Sequence, residues 1–255
     1  MDAHPVTRAL SFGRRADAYD RVRPEYSPEA LDLVGKQLGL GRESDVLDLA
    51  AGTGKLTRPL AERFGRVIAV EPDPGMRAVL SQVTDCHLAL EGRAEEIPLA
   101  DGSVDAVFVG QAFHWFDKPR AVAEMARVLR PRGGVALFWN SWWETEPPLP
   151  EAARALRDDV RERGLRQPEK PQPKEPDRSA FFQSAGFEEV RVENVPVRIL
   201  DIDGPDLVTL YFSTSPFGIL PEDERETIEA ELRRVVTGPH RLPVTTELEW
   251  TRLAK

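Results

Sequence analysis

Residues 46–71 read VLDLAAGTGKLTRPLAERFGRVIAVE, and this stretch decides the fold. Its two ends are mainly apolar, as is typical of parallel strands that are buried on both faces. Between them, Gly52 and Gly54 permit a sharp turn and let a ligand approach the backbone closely. Apolar residues recur at helical spacing over 55–64, where Pro59 fits only near the helix start. The stretch therefore predicts a strand, a glycine turn, a helix and a second strand, which form a nucleotide-binding βαβ unit.

The polar side chains of this βαβ unit indicate which nucleotide it binds. A dinucleotide fingerprint needs a third glycine or an alanine where Thr57 stands, so the dinucleotide match is incomplete. Asp48 lies inside the first strand, where its carboxylate would repel a pyrophosphate and attract a cationic amine. Glu71 ends the second strand and can accept hydrogen bonds from ribose hydroxyls. An amine and a ribose together describe S-adenosylmethionine, and a structural glycine turn with a solvated Asp48 is the alternative.

Three segments resemble the class I S-adenosylmethionine-dependent methyltransferases, and in particular the type 11 family of small-molecule methyltransferases. The βαβ unit resembles motif I and its acidic loop, with Ala50 where many relatives have a glycine. Residues 12–26 carry the pattern F-x-x-x-A-x-x-Y-x-x-x-R-P-x-Y, which resembles a leader that folds over the cofactor. Residues 92–105 resemble the segment that cups the adenine, although Arg93 replaces an acidic or small residue. The resemblance covers nearly the whole chain and implies S-adenosylmethionine as the cofactor.

The resemblance also implies roles for single residues of the cofactor site. Tyr19 and Arg23 would approach the methionine carboxylate, which an arginine can bind in a bidentate fork, but a solvated amphipathic helix accounts for them equally well. The backbone of Ala94 and the side chain of Glu95 would hold the adenine, unless Glu95 is simply solvated. The residues expected to bind the cofactor are Tyr19, Arg23, Asp48, Ala50, Gly52, Thr53, Gly54, Glu71, Pro72, Ala94, Glu95 and Gln111.

The segment after the predicted fourth strand is expected to line the site, because ligands of open α/β sheets bind beyond the carboxyl ends of the strands. His114 in this segment can act as a general base, since an imidazole titrates near neutral pH. A histidine among aromatic residues can instead be a hydrogen-bonded wall residue. The residues expected to form the acceptor pocket are His114, Trp115, Trp142, Trp143 and Tyr211, of which the last three can alternatively pack in the core.

The order of the predicted elements indicates an α/β fold. Strands that alternate with helices predict a parallel sheet with right-handed crossovers. With the resemblance, this gives a Rossmann-like, seven-stranded, mostly parallel sheet with one antiparallel strand, helices on both faces and helical lid insertions. The boundaries predicted beyond the βαβ unit include a third strand over 86–90, a helix from Asp117 to about Arg130 and a fifth strand over 135–139.

The chain is long enough for one large domain, since 41% of its 255 residues are hydrophobic. We expect a single methyltransferase domain over 1–255. Its segments are an N-terminal cofactor cover (1–35), a cofactor-binding core (36–140), a lid or loop insertion (141–177) and C-terminal strands with inserted helices (178–255).

The composition also narrows the class of partner. A net charge of −9 argues against nucleic acid, because phosphate binding uses clustered Lys and Arg. The sequence has no apolar signal core and no run of membrane-spanning length, which predicts that it does not bind a membrane. Cys86 is the only cysteine, and this is compatible with a reducing compartment. We therefore expect a cytoplasmic protein whose partner is a small molecule, and the oligomeric state is left open.

The function predicted from the sequence is methyl transfer from S-adenosylmethionine to a small-molecule acceptor, through an oxygen, nitrogen or carbon nucleophile. No metal site is predicted. One alternative is an NAD(P)-dependent oxidoreductase, which Thr57 and Asp48 disfavour. The other is a non-catalytic protein that binds S-adenosylmethionine or S-adenosylhomocysteine, which no feature of the sequence excludes.

Overall fold

The computed structural model describes residues 16–83, 88–142, 151–166, 178–213 and 221–255, and these form two compact units. None of the helices in these ranges combines the length and the apolar character that crossing a membrane requires. The larger unit comprises Glu25–Asn140, Pro176–Pro196 and Thr245–Lys255, and the smaller unit comprises Met1–Pro24, Ser141–Glu175 and Val197–Val244.

The sheet contains the strands β1 (Asp45–Leu49), β2 (Arg66–Val70), β3 (Leu88–Leu90), β4 (Val104–Gly110), β5 (Leu129–Ser141), β6 (Arg191–Asp203) and β7 (Pro239–Arg252). Their order across the sheet is β3-β2-β1-β4-β5-β7-β6. The pairs β1–β2, β1–β4, β2–β3 and β4–β5 are parallel. Phe187 and Leu253, which flank β6 and β7, form an antiparallel bridge. This open, mostly parallel sheet confirms the predicted α/β fold.

The helices are α1 (Ala16–Val22), α2 (Pro28–Gln37), α3 (Thr57–Ala61), α4 (Pro74–Val83), α5 (Lys118–Val128), α6 (Glu151–Arg166), α7 (Arg178–Ser184), α8 (Gly204–Phe212) and α9 (Glu222–Val235). A short 3-10 turn covers Phe113–Trp115. Two helix starts have side-chain caps: Ser27 Oγ accepts the Ala30 N–H at 3.3 Å, and Asp73 Oδ1 accepts the Met76 N–H at 2.9 Å. Such side-chain acceptors satisfy backbone donors that have no partner within the helix.

The core of the larger unit lies on both faces of the sheet, because successive strand residues point to opposite faces. Leu47 and Leu49 of β1 pack in a cluster that includes Met125 of α5. Val46 packs in a second cluster with Leu60 of α3, and this cluster also includes α2. Helices therefore cover both faces, as predicted, and the alternation places Asp48 on the same face as α3.

The smaller unit has its own apolar core. Trp142, which follows β5, packs there with Leu207 of α8 and Leu232 of α9. The guanidinium of Arg21 in α1 bonds to Asp206, also in α8. Arg233 of α9 donates to the carbonyl oxygen of Pro205 at 3.0 Å. Contacts of α8 with both α1 and α9 thus hold this unit together.

The helix predicted over 55–64 is shorter than expected, since α3 begins at Thr57 and ends at Ala61. This start makes Pro59 the third helical residue, and a proline there removes no intrahelical hydrogen bond. The chain then turns, with the Phe64 N–H donating to the Leu60 carbonyl at 2.9 Å. The prediction of its type was confirmed, but its length was wrong.

The boundary between the fifth helix and the fifth strand was also wrong. We predicted a helix to about Arg130, but α5 ends at Val128 and β5 begins at Leu129, well before the predicted start at residue 135. Leu129 is buried and pairs with Val104 of β4, which favours the extended conformation over a further helical turn. Of the predicted third strand, Leu88–Leu90 is observed, and residues 86–87 lie outside the described residues.

Candidate functional site

Two acidic residues lie at the carboxyl edge of the sheet in the larger unit. Asp48 is the fourth residue of β1 and pairs with Ala69 of β2, and Glu71 follows β2 directly. Because the strands are parallel, both acids reach the edge where ligands of such sheets bind. The Asp48 residue is 0% exposed and Glu71 is 6% exposed. The predicted pair of acids is therefore brought together, with both carboxyl groups largely removed from water.

Among the described residues, only Thr57 forms a hydrogen bond with the carboxylate of Asp48. The Thr57 hydroxyl donates to Asp48 Oδ2 at 2.6 Å, whereas Oδ1 is buried and has no hydrogen-bond partner among the described residues. Burial raises the pKa of Asp48 to about 7; the Thr57 bond lowers it and the negative charge of Glu71 raises it. A buried acceptor without a donor is costly, so this atom favours a ligand that supplies an N–H group.

Glu71 joins the glycine turn to the segment after β2. Its Oε2 accepts the N–H of Gly52 at 2.9 Å, and its Oε1 accepts the N–H of Asp73 at 2.8 Å. Burial raises the pKa of Glu71, and these two backbone hydrogen bonds act in the opposite direction. Each carboxylate oxygen can accept a second hydrogen bond, so Glu71 keeps acceptor capacity for hydroxyl groups of a ligand.

The loop after β1 has a backbone conformation that favours glycine at three places. Ala50, Gly52 and Gly54 have φ values of +59°, +58° and +89°. A Cβ added at Gly52 would meet no described atom within 4 Å, so its left-handed conformation, and not crowding, favours glycine there. Ala50 adopts the same region with a side chain, at a cost of about 1–2 kcal/mol. Thr53, between the glycines, is 1% exposed.

The segment predicted to hold the adenine packs against the start of α5. Glu95 Oε1 accepts the N–H of Asp117, the N-cap residue of α5, at 2.9 Å, and the Asp117 side chain forms no capping hydrogen bond. Ala94 is 5% exposed, and Gly92 has no room for a side chain because a Cβ would lie 2.6 Å from Pro98 Cδ. The backbone of this segment is therefore fixed next to the sheet.

Three further hydrogen bonds anchor the same segment to α5. Glu124 Oε2 accepts the Ile97 N–H at 2.8 Å, and Arg127 donates to the carbonyl oxygens of Ile97 and Leu99 at 2.9 and 2.8 Å. Arg127 also pairs with Glu124 at 2.7 Å. No local sequence pattern predicts this anchor, although the two side chains lie one helical turn apart.

The residues after β4 lie beside the end of β5. Gln111 has a φ of +57°, and its Nε2 donates to the Asn140 carbonyl at 2.5 Å. Asn140 in turn accepts the Thr246 hydroxyl at 2.7 Å. Asn140 and Thr246 were not predicted as site residues, since they are 106 positions apart and meet only through the order of the strands.

His114 is exposed and stands among aromatic rings. Its ring centroid lies 4.6 Å from that of Trp115 and 5.6 Å from that of Trp139. The Trp139 indole donates to Glu249 Oε1 at 3.0 Å, and the Arg178 guanidinium lies 4.9 Å from the Trp139 ring centroid. His114 and Trp115 are therefore on one aromatic wall, which also includes Trp139, a residue predicted from the sequence only as part of a strand.

Four of the predicted residues, Tyr19, Arg23, Trp142 and Tyr211, belong to the smaller unit. The Arg23 guanidinium lies 4.7 Å from the Tyr19 ring centroid and 4.9 Å from that of Trp142. Its Nε donates to the Ser213 hydroxyl at 2.8 Å. Tyr211 is buried in the core of that unit, and Trp143 lies outside the described residues. Their roles at a ligand stay predictions.

Known proteins resemble this chain at the levels of sequence and fold. A family model described as a methyltransferase domain matches residues 47–137. An uncharacterized methyltransferase of Mycobacterium tuberculosis is 53% identical over 133 residues, 52% of this chain and 53% of that protein, so the chain spans about half of that relative. An uncharacterized methyltransferase of Schizosaccharomyces pombe is 32% identical over 239 residues, 92% of this chain and 90% of the relative.

Among solved structures, a similar fold occurs in Haemonchus contortus phosphoethanolamine N-methyltransferase 2 in complex with S-adenosyl-L-methionine. The TM-score is 0.56 at 16% sequence identity, and the match covers 95% of this chain and 57% of that chain. At this identity the likeness concerns the fold.

Proposed function

Because the chain belongs to the class I methyltransferase family, we propose that it binds S-adenosylmethionine and transfers the methyl group to a small-molecule acceptor. The observation that carries the proposal is the buried Asp48 carboxylate, whose Oδ1 has no hydrogen-bond partner among the described residues. A protonated amine supplies both the missing donor and a compensating positive charge. The residues present at the sheet edge therefore fit the amino-acid end of S-adenosylmethionine.

Other residues of the larger unit fit the nucleoside end. Glu71 would accept hydrogen bonds from the ribose hydroxyls through lone pairs that its two backbone donors leave over. The turn formed by Ala50, Gly52, Thr53 and Gly54 would support the cofactor, since the space beside Gly52 is open. Pro72, Ala94 and Glu95 would lie along the adenine, with Glu95 contributing through its free lone pairs while it caps α5. Gln111 would close the site beside β4.

Bound S-adenosylmethionine would supply an electrophilic methyl group, because the methyl carbon is attached to a positively charged sulfur. This sulfur is a good leaving group when the electron pair of an acceptor attacks the methyl carbon. The chain's own contribution would be to hold the two reactants in line. Alignment of this kind can remove roughly 7–11 kcal/mol from a barrier. In the larger unit, His114 and Trp115 would form a wall for the acceptor.

Equilibrium binding and turnover test this proposal together. The purified chain should bind labelled S-adenosylmethionine in preference to NAD, and preferential NAD binding would overturn the proposal. Transfer of a labelled methyl group should then occur to at least one member of a panel of phenols, carboxylic acids and amines. Binding with no transfer to any member would favour the non-catalytic alternative, in which the chain binds the cofactor for structure or regulation.

One variant of the active chain tests the role of His114. If His114 is a general base, His114→Ala should lower the turnover number roughly 100-fold or more, because general base catalysis contributes about that much. A variant that keeps its turnover would leave His114 as a wall residue beside Trp115. The exposed position of the imidazole makes the substitution suitable, since no core packing is lost.

A further inference from the structure

We propose that Thr57 is a positioning residue for the cofactor amine: its hydroxyl fixes the Asp48 carboxylate and favours its ionised form. This inference rests on the proposed binding of S-adenosylmethionine. Thr57 itself would not touch the cofactor. It would act through Asp48, on which the structure leaves one oxygen available.

The geometry supports this role. Thr57 is the first residue of α3 and is 0% exposed, and Asp48 is equally buried on the facing strand. A hydroxyl group can donate one hydrogen bond, and the 2.6 Å bond to Asp48 Oδ2 uses it. Occupation of Oδ2 fixes the rotation of the carboxylate. Oδ1 is then held in one position, where it can accept from a ligand without further ordering.

Thr57 stands where a dinucleotide-binding unit has its third glycine. In those units the glycine allows the helix and the strand to pack closely. Here a side chain occupies the place and connects the helix to the strand by a hydrogen bond. The same position would therefore serve a different ligand, because the bond both orients a carboxylate and favours its charged form.

The charges around Asp48 show why the hydrogen bond from Thr57 matters for its ionisation. Glu71, at the end of β2, is the charged side chain whose field acts on Asp48, and it disfavours ionisation. Lys55 and Arg58, which lie in the loop and in α3, pair with Glu25 at 2.7 and 3.3 Å. The neighbouring strands place Ala69 and Phe108 beside Asp48. The Thr57 hydroxyl is thus the group that stabilises the carboxylate against burial and Glu71.

Removal of the Thr57 hydroxyl should therefore shift the pKa of Asp48 in one direction. The Thr57 hydrogen bond lowers the pKa of Asp48, so a variant without it should have a higher pKa at Asp48. A higher pH would then be needed to ionise Asp48 and bind the amine. The cofactor's own amine titrates in the same way with every variant, so a difference between variants reports on Asp48.

The experiment compares Thr57→Val, which keeps the shape of the side chain, with Thr57→Ser, which keeps the hydroxyl. Dissociation constants are measured from pH 5.5 to 9 for S-adenosylmethionine and for 5′-methylthioadenosine, which lacks the amino-acid part. Thr57→Val should bind S-adenosylmethionine about 10-fold or more weakly at neutral pH, with its midpoint moved to higher pH. Thr57→Ser should stay within about threefold of the wild type, and 5′-methylthioadenosine should bind all three equally.

The ligand-free variants give a second readout. The fall in stability that accompanies ionisation of Asp48 should occur at higher pH in Thr57→Val than in the wild type, as thermal unfolding would show. Thr57→Ala serves as the hydroxyl-free variant if Thr57→Val does not fold. An unchanged pH midpoint, or equal losses of affinity for both ligands, would overturn the role of Thr57. If the wild type binds neither ligand, the proposed function itself fails.

Discussion

The larger unit contains two acidic clusters that differ in what surrounds them. At the sheet edge, Asp48 and Glu71 are buried; the Asp48 carboxylate accepts from the Thr57 hydroxyl, and Glu71 accepts from two backbone N–H groups and lies in the field of Arg77. On α5, Glu124 is half-buried and pairs with Arg127 at 2.7 Å. Burial raises the pKa of both acids at the edge, whereas the hydrogen bond from Arg127 lowers the pKa of Glu124.

This difference distinguishes the sheet edge, which would bind a ligand, from the α5 cluster, which stabilises the fold. A buried carboxylate without a cation lowers stability, and such groups are concentrated where a ligand supplies the missing charge. The α5 cluster has its partners within the chain, since Glu124 and Arg127 anchor Ile97 and Leu99. Changes at the edge should therefore alter ligand binding strongly, and changes on α5 should mainly alter stability.

The largest effect is expected from Asp48→Asn, which removes the charge and keeps the shape. S-adenosylmethionine should bind about 150- to 5,000-fold more weakly, because an ammonium without its buried counter-charge loses roughly 3–5 kcal/mol. Isothermal titration calorimetry measures this. Asp45→Asn is the matched control, since Asp45 lies in the same strand and pairs with Arg130 at the opposite end. Equal affinities of the Asp48 variant and the wild type would place the amine elsewhere.

The next largest effect is expected on the stability of the ligand-free protein as the pH changes. The folded-state pKa of Asp48, about 7, is above its ordinary value of 3.8, so its contribution to stability is fully present below about pH 4 and is lost as the pH rises through 7. The free energy of unfolding of the wild type, relative to Asp48→Asn, should fall by roughly 2–4 kcal/mol over this interval. Urea unfolding at several pH values measures the difference.

The comparison with Asp48→Asn also separates the pH dependence of stability that comes from Asp48 from the part that comes from Glu124 on α5. The lowered pKa of Glu124 has the opposite effect, because its stabilisation is lost as the pH falls. Glu124 is present in both proteins, so its contribution cancels in the difference. A difference that does not change with pH would mean that Asp48 is ionised throughout, and the contrast between the two clusters would then fail.

A smaller effect is expected from Arg127→Ala on α5. The variant should lose about 1–2 kcal/mol of stability, since Ile97 and Leu99 lose their side-chain donor at a partly exposed site. Its dissociation constant for S-adenosylmethionine should change by less than about threefold at every pH. Urea unfolding and calorimetry on one preparation measure both quantities. A pH-dependent loss of affinity would show that α5 contributes to the amine site as well.

The two clusters also differ in how far the sequence predicts them. Asp48 and Glu71 were identified because a strand, a glycine turn and a strand fix their positions locally. The Thr57–Asp48 bond depends on where α3 begins, and the expected helix start near Lys55 concealed it. The early start of β5 at Leu129 depends on pairing with β4, which no local pattern of residues records.

The smallest effect is expected from Ala50→Gly in the glycine turn. Ala50 has a φ of +59°, so the glycine should relieve about 1–2 kcal/mol of strain, less about 0.5–1 kcal/mol for the freer unfolded chain. A net gain of roughly 0.5 kcal/mol is expected in urea unfolding, with unchanged affinity for S-adenosylmethionine. Arg132→Gly is the matched control, because Arg132 is exposed in β5 with a φ of +64°.

The two glycine variants together separate backbone strain from ligand contact. A similar gain in both would mean that the turn at the sheet edge carries ordinary strain, and that its specificity resides in Asp48 and Glu71. If Ala50→Gly alone weakened binding by more than about fivefold, the Ala50 methyl group would be part of the cofactor surface. The edge would then differ from α5 in the shape of its backbone as well as in its buried charges.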